Sequence, residues 1–249
     1  IVGPNSTLKG IHFLEQMLTN SHRPNAVCIM AGGKGTRLLP ITRTIPKPML
    51  KVAGLPILER LLLHLIGDGF WRFYISINYL GEQIREYFGD GSKLGCEITY
   101  LEESEPLGTA GSLRLIPDCL TDPLLVMNGD LVTPFQPGSM IEAHLACAQE
   151  LTVATKIYHH QIPYGCLEVQ ERKVVGFEEK PLLARHINAG IYVVDPQVLK
   201  LLPPDQAFHM TELINTLMSL GREVGIYEIH EDWVDIGDKT QLSQANEGV

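Results

Sequence analysis

Apolar positions fall into short runs separated by helical patterns along most of the chain, and the rhythm changes near residue 150. Ala26–Ala31 is an apolar run of strand length, followed at once by glycines. Pro56–Ile66 carries apolar residues at helical spacing around nearly its whole surface, which predicts a well-buried helix. Strand patterns recur at Phe73–Ile77, Cys96–Leu101 and Leu124–Met127, and helical ones at Gly81–Phe88, Thr109–Ile116 and Met140–Ala148. Such alternation predicts an α/β domain around a mostly parallel sheet covered on both faces.

After Leu151 strands dominate: Thr152–Tyr158, Gly165–Val169, Val174–Glu178 and Ile191–Val194, with a hairpin through Gln170–Lys173. A helix over Met210–Leu220 and a strand over Val224–Ile229 complete the pattern. The chain therefore divides into 25–150 and a more mixed, strand-rich 151–249, which suggests nucleotide binding first and acceptor binding second. Residues 1–24 read separately. Leu8, Ile11, Leu14 and Leu18 recur at helical spacing behind Asn5, Ser6 and Thr7, and Asn20–Pro24 reads as a linker. This predicts a short amphipathic helix that docks outside the main domain.

Charge changes the picture. The 249 residues carry a net charge of −9, a poor balance for nucleic-acid binding. Yet Gln16–Leu58 contains no Asp or Glu and holds Arg23, Lys34, Arg37, Arg43, Lys47 and Lys51. Such a segment is either a solvated basic face or an anion-binding site in an acidic protein. No stretch approaches 18 consecutive apolar residues, so no membrane-spanning helix is expected. Cys28, Cys96, Cys119, Cys147 and Cys166 form no C-x-x-C pair and no zinc-ligand spacing with histidine. Reduced thiols and a cytoplasmic setting are the expectation. The chain starts at Ile1 with no signal-peptide pattern, and is read as a fragment or as lacking its first residues.

The most informative segment is Ala31-Gly32-Gly33-Lys34-Gly35-Thr36-Arg37-Leu38, directly after the first strand. Its glycines let the backbone turn sharply and aim N–H groups at a ligand, and phosphate oxygens suit such a nest. It is neither a Walker A loop nor the dinucleotide G-x-G-x-x-G. Taken alone, it also reads as a strand-to-helix turn that needs glycine. Pro40-Ile41-Thr42 and Pro46-Lys47-Pro48 follow. Two prolines stiffen the chain around Lys47, which is then presented to a phosphate with little entropy to lose.

Together these blocks resemble the signature of the sugar-1-phosphate nucleotidylyltransferases: G-G-x-G-T-R-L, then P-[LI]-T, then P-K-P. The resemblance runs from about Asn25 to about Asn246. It looks nearest to the mannose-1-phosphate and glucosamine-1-phosphate guanylyltransferase-like proteins, in the branch that often carries an N-terminal CBS-type regulatory pair. Residues 1–24 would then be the edge of such a module. The resemblance implies a Rossmann-like three-layer nucleotidyltransferase fold with a mixed, mostly parallel sheet and a smaller acceptor-binding region.

The implied reaction transfers a nucleotidyl group from an NTP, with GTP preferred, to a sugar 1-phosphate. Arg37 and Lys47 would be catalytic. Ala31, Gly32, Gly33, Lys34, Gly35 and Thr36 would bind the nucleotide phosphates. Glu103, Pro106, Gly108 and Thr109 match the family's base-binding loop, where the Glu103 carboxylate would accept from a base edge. Asp130 in Asn128-Gly129-Asp130, and Asp235 in Trp233-Val234-Asp235-Ile236-Gly237, would hold Mg²⁺. Asn128, Gly129, Tyr164, Gly165, Glu179, Lys180 and Asn188 match the sugar-phosphate side. Without the resemblance, Asp130 is as readily a turn residue, and Glu178-Glu179-Lys180 a solvated charge run. Cys166 and His209 depart from the family pattern and put acceptor details in doubt. UTP or dTTP with glucose 1-phosphate, and a non-catalytic regulatory paralogue, are the rival readings. The expected partners are the two substrates, without nucleic acid or membrane; self-association stays open.

Overall fold

The structure is a computed structural model that describes residues 22–204 and 206–247. The helix expected over the first residues therefore lies outside the described part.

Seven strands form the central sheet. They are β1 (Val27–Met30), β4 (Arg72–Ile77), β5 (Glu97–Glu102), β6 (Leu124–Asn128), β8 (Leu151–Gln161), β11 (Leu182–Val194) and β12 (Val224–Glu228). Their order is β12-β8-β11-β6-β1-β4-β5, so strands from both halves of the chain share one sheet. β11 is antiparallel to both neighbours, while β1, β4, β5 and β6 are parallel to one another, as are β8 and β12. The sheet is thus mixed and mostly parallel, as the alternation predicted.

Side chains alternate across each strand, so β1 serves two cores. Val27 and Ile29 pack into one cluster with Leu58, Leu62, Leu65 and Ile84, on α1 (Ile57–Gly67) and α2 (Gly81–Phe88). Met140 and Ile141 of α4 (Pro137–Ala146) join that side. Cys28 faces the other cluster, with Leu113, Val198, Leu213 and Leu217. There the cover is α3 (Gly108–Gly111), two 3-10 segments at Ser112–Leu115 and Pro196–Leu201, and α5 (Met210–Ser219). Three layers result. Among the described residues, no helix is long and apolar enough to cross a membrane.

Several elements differ from the sequence reading. The helix expected at Thr109–Ile116 is one α-turn that tightens into a 3-10 segment. The strands expected at Thr152–Tyr158 and Ile191–Val194 belong to β8 and β11, of 11 and 13 residues, which pair well beyond the sheet as an arm. On it sits the hairpin of β9 (Gly165–Gln170) and β10 (Lys173–Glu179). Its register sets Leu167 opposite Phe177 and Val169 opposite Val174, on one face. That face is exposed, Phe177 by 65%. Among the described residues nothing covers it.

Two short strand pairs and a helix went unread. β2 (Lys51–Val52) pairs with β3 (Leu55–Pro56), β7 (Leu131–Val132) pairs with β13 (Val234–Asp235), and α6 (Lys239–Glu247) follows. Leu38, Leu50, Val52, Ile57, Ile236 and Ala245 close into a third cluster. That cluster ties the segment after the glycine loop to the last turn of the chain.

Candidate functional site

The loops that follow β1, β4, β5 and β6 leave the sheet at the carboxyl ends of its parallel strands, the edge where open α/β sheets place ligands. Ala31 donates its backbone N–H to Ser76 O at 2.9 Å, holding the start of the glycine loop against β4. Gly35 then adopts φ +59°, a conformation most side chains resist. A Cβ there would also stand 3.0 Å from Thr42 Cγ2 and 3.1 Å from Lys47 Cβ. Buried Thr42 donates its hydroxyl to Gly35 O at 2.9 Å. Thus the three sequence blocks, glycine loop, Pro-Ile-Thr and Pro-Lys-Pro, close on one another in space. Thr36–Leu38, Ile41–Arg43 and Lys47–Met49 are each single 3-10 turns.

Lys47 projects from the last of these turns into two carboxylates. Its ammonium pairs with Asp130 Oδ2 and lies 3.8 Å from Asp235 Oδ1. The pairing of β7 with β13 brings those aspartates together, since Asp235 stands opposite Leu131 and Asp130 O accepts from Ile236 N at 3.1 Å. Burial, and then the neighbouring Asp130 charge, push the Asp235 carboxyl above its usual range, while Lys47 pulls it back. Asp130 Oδ1 and Asp235 Oδ1 are buried and make no hydrogen bond. Two buried carboxylate oxygens without a hydrogen bond, on aspartates that share Lys47, suit a hard divalent cation that draws its remaining ligands from water and phosphate. Among the described residues there is no group of three or more His, Cys, Asp or Glu side chains for such an ion. Arg37 closes the other side: its guanidinium would lie 2.9 Å from a Cβ on Gly237, and its charge acts on Asp235.

Around this centre the expected residues fall into three groups. Gly32 lies against Asn78 and Glu103, so the loop expected to bind the base borders the glycine loop directly. Lys34 and Thr36 are exposed beside it. The Glu103 carboxylate is already engaged, accepting from Ser76 Oγ and, at 2.8 Å, from Leu107 N. Asn78 Nδ2 donates to Glu103 O at 2.6 Å. Glu103 thus shapes the loop that carries Pro106, Gly108 and Thr109. Of the residues expected on the acceptor side, Asn128 ends β6 and Gly129 N donates to Met30 O at 2.9 Å. Asn188 donates to Tyr192 Oη at 2.8 Å and accepts from Gly190 N at 2.9 Å, so its amide braces the irregular step in β11. Trp233 Nε1 donates to Ala189 O at 2.9 Å, joining that step to the Asp235 block.

The third group stands apart. Tyr164, Gly165, Glu179 and Lys180 sit at the base of the hairpin on the arm, with Gly165 paired to Glu179 and Tyr164 exposed by 73%. No hydrogen bond or ion pair among the described residues joins them to Lys47, Asp130 or Arg37.

Sequence reasoning overlooked Ser76, Asn78 and the role of Thr42. The available signal was polarity: Ser76 lies buried between Ile75 and Ile77, and Asn78 follows that strand's end.

Comparison with known proteins adds the following. The family model described as "Nucleotidyl transferase" matches residues 26–249. A UTP–glucose-1-phosphate uridylyltransferase of Synechocystis sp. is 32% identical over 241 residues, covering 89% of this chain and 62% of that protein. A mannose-1-phosphate guanylyltransferase of Mycobacterium tuberculosis is 35% identical over 187 residues, covering 74% of this chain and 52% of that protein. This chain thus spans a little over half the length of these two relatives. Among solved structures, a putative glucose-1-phosphate thymidylyltransferase from Bacillus anthracis aligns at TM-score 0.70 and 25% identity, over 90% of this chain and 94% of that one. HddC from Yersinia pseudotuberculosis, complexed with GMP-PN, aligns at TM-score 0.71 and 25% identity, over 90% of this chain and 99% of that one.

Proposed function

This chain belongs to the nucleotidyl transferase family, and from that premise we propose that it transfers a nucleotidyl group from an NTP to a sugar 1-phosphate, releasing pyrophosphate. The observation that carries the reading is the convergence of Lys47, Arg37, Asp130 and Asp235 beside the glycine loop. A phosphate oxygen of the sugar 1-phosphate attacks the α-phosphorus of the NTP in line. A new P–O bond forms as the bond to the β-phosphate oxygen breaks, and pyrophosphate carries the electron pair away. The attacking phosphate is already ionised, so no general base is needed. Positioning and charge neutralisation supply the catalysis.

The amides of Gly33–Thr36 and the Arg37 guanidinium hold the β- and γ-phosphates. Lys47 exchanges the Asp130 carboxylate for an α-phosphate oxygen and stabilises the charge that builds there. Asp130 and Asp235 would hold Mg²⁺, which when bound acts as a Lewis acid on the phosphates. The loop through Gly108 and Thr109 meets the base, while Asn128, Gly129 and Asn188 line the acceptor side; Glu179 and Lys180 stand on the arm, apart from that centre, and would meet the sugar phosphate only as the arm closes over it.

GTP is the favoured nucleotide because the chain resembles guanylyltransferases. A relative named for UTP, and a structural neighbour named for thymidylyl transfer, support UTP or dTTP with glucose 1-phosphate as the second reading. Five free cysteines fit a cytoplasmic setting.

A pyrophosphate-release matrix tests the reading, with GTP, ATP, UTP, CTP and dTTP against hexose and hexosamine 1-phosphates in Mg²⁺. Lys47→Ala and Arg37→Ala should each slow turnover about 10²–10³-fold with the fold intact by circular dichroism, as for loss of one preorganised charge contact. Near-normal pyrophosphate release in both variants would sink the assignment. A preference other than GTP removes the guanylyl assignment and leaves the reaction class.

A further inference from the structure

The base-binding loop is built from two segments a hundred residues apart. Phe208 N donates to Leu107 O at 2.8 Å, and Phe208 O accepts from Ala110 N at 2.9 Å and Gly111 N at 3.0 Å. Met210 N donates to Thr109 Oγ1 at 3.0 Å. Between these contacts, Thr109 N donates to His209 Nδ1 at 3.3 Å. His209 is itself held in place, because its N–H donates to Glu212 Oε2 at 2.7 Å at the start of α5. Gly108, at φ +78°, lies so close that a Cβ there would stand 2.7 Å from Phe208 O and 3.0 Å from the imidazole. The ring therefore forms the floor under the Gly108-Thr109 backbone.

We infer that His209 is a positioning residue for the nucleotide: its Nδ1, accepting from Thr109 N, fixes the Gly108-Thr109 backbone at the distance at which the base is read. This rests on the nucleotidyl-transfer reading for what the loop meets, while the contact itself stands on the geometry. The ring reaches no reacting atom. Its effect should appear in nucleotide binding, with the chemical step and the sugar phosphate left alone. The accepting nitrogen fixes the tautomer, with the ring proton on Nε2.

Two substitutions separate this role from helix capping. His209→Ser retains a good N-cap for α5 but is too short to reach Thr109 N. His209→Asn caps the helix and places an acceptor oxygen where Nδ1 stands. For the NTP that the wild type uses, His209→Ser should raise KM about tenfold, the size of one lost hydrogen bond. Its kcat and its KM for the sugar 1-phosphate should stay within about twofold, and His209→Asn should restore the wild-type KM. Calorimetric titration with GTP, UTP and dTTP should show the same weakening and the same rescue. An unchanged nucleotide KM in His209→Ser, or an equal loss in both variants, overturns the inference. If the wild type turns over no NTP, the enzymatic reading fails, and the calorimetric comparison still decides the role of His209.

Discussion

Asp235 shows what a buried carboxylate beside another costs the protein. Burial and the Asp130 charge raise its pKa, so the folded state keeps this proton to a higher pH than the unfolded chain does. Between the ordinary carboxylate pKa and the raised one, the native state binds more protons, and stability falls as pH rises through that window. Ionised Asp235 is therefore a burden above the window and none below it. In the free protein, Asp235→Asn should be at least as stable as the wild type at pH 7. That advantage should shrink as pH drops through the raised pKa and disappear below the ordinary carboxylate range. Urea unfolding of both proteins across a pH series measures this; a variant less stable by a constant amount at every pH would refute it. The same variant should lose turnover if Asp235 holds the metal as proposed, and pyrophosphate release measures it.

Among the elements, the single 3-10 turns of Thr36–Leu38, Ile41–Arg43 and Lys47–Met49 are too short to stand alone. Each is held by its neighbours, and the bond from Thr42 Oγ1 to Gly35 O links the first to the second. Thr42→Val keeps the shape and deletes that bond, leaving Gly35 O with Leu38 N alone, at 3.0 Å, and a buried methyl where the hydroxyl stood. Stability should fall by roughly 1–2 kcal/mol, and kcat/KM by about tenfold as the loop loosens against Lys47. Thr42→Ser should recover both. Activity that persists in Thr42→Val, measured by pyrophosphate release, would show that the bond serves folding alone. These turns were not legible as elements, because three residues carry no periodicity. Their ends were legible as motifs, since proline and glycine act through backbone dihedrals that hold in any context.

At the scale of the whole molecule, two cores share one sheet, and Cys28 lies at its centre. Its thiol is fully buried, and burial raises its pKa far above the range in which a thiolate forms. Cys96 is also raised, to about 11. Cys119 and Cys147 are exposed. A thiol reagent at pH 8 should label Cys119 and Cys147 in seconds to minutes and reach Cys28 only through global unfolding, so its rate should track urea concentration. Rapid labelling of Cys28 in the native protein, read by peptide mass, would contradict the packing.

The sequence alone determined the layers and the chemistry that sits in one stretch of chain. Strand and helix periods are local, so the α/β alternation and the buried faces of β1, β4 and β6 could be read from residue order. The expectation of phosphate binding at 31–48 was equally local, because glycine, proline and an absence of acids act within a few residues. Tertiary structure decided the rest. Only the pairing of β7 with β13 sets Asp235 beside Asp130, across more than a hundred residues, and two residues per strand leave no pattern to read. Only folding shows that the Glu103 carboxylate and the Asn188 amide are spent on bracing backbone, and that His209 reaches Thr109. Hydrogen bonds between distant segments depend on where the chain returns, and the packing of both cores against the sheet sets that return.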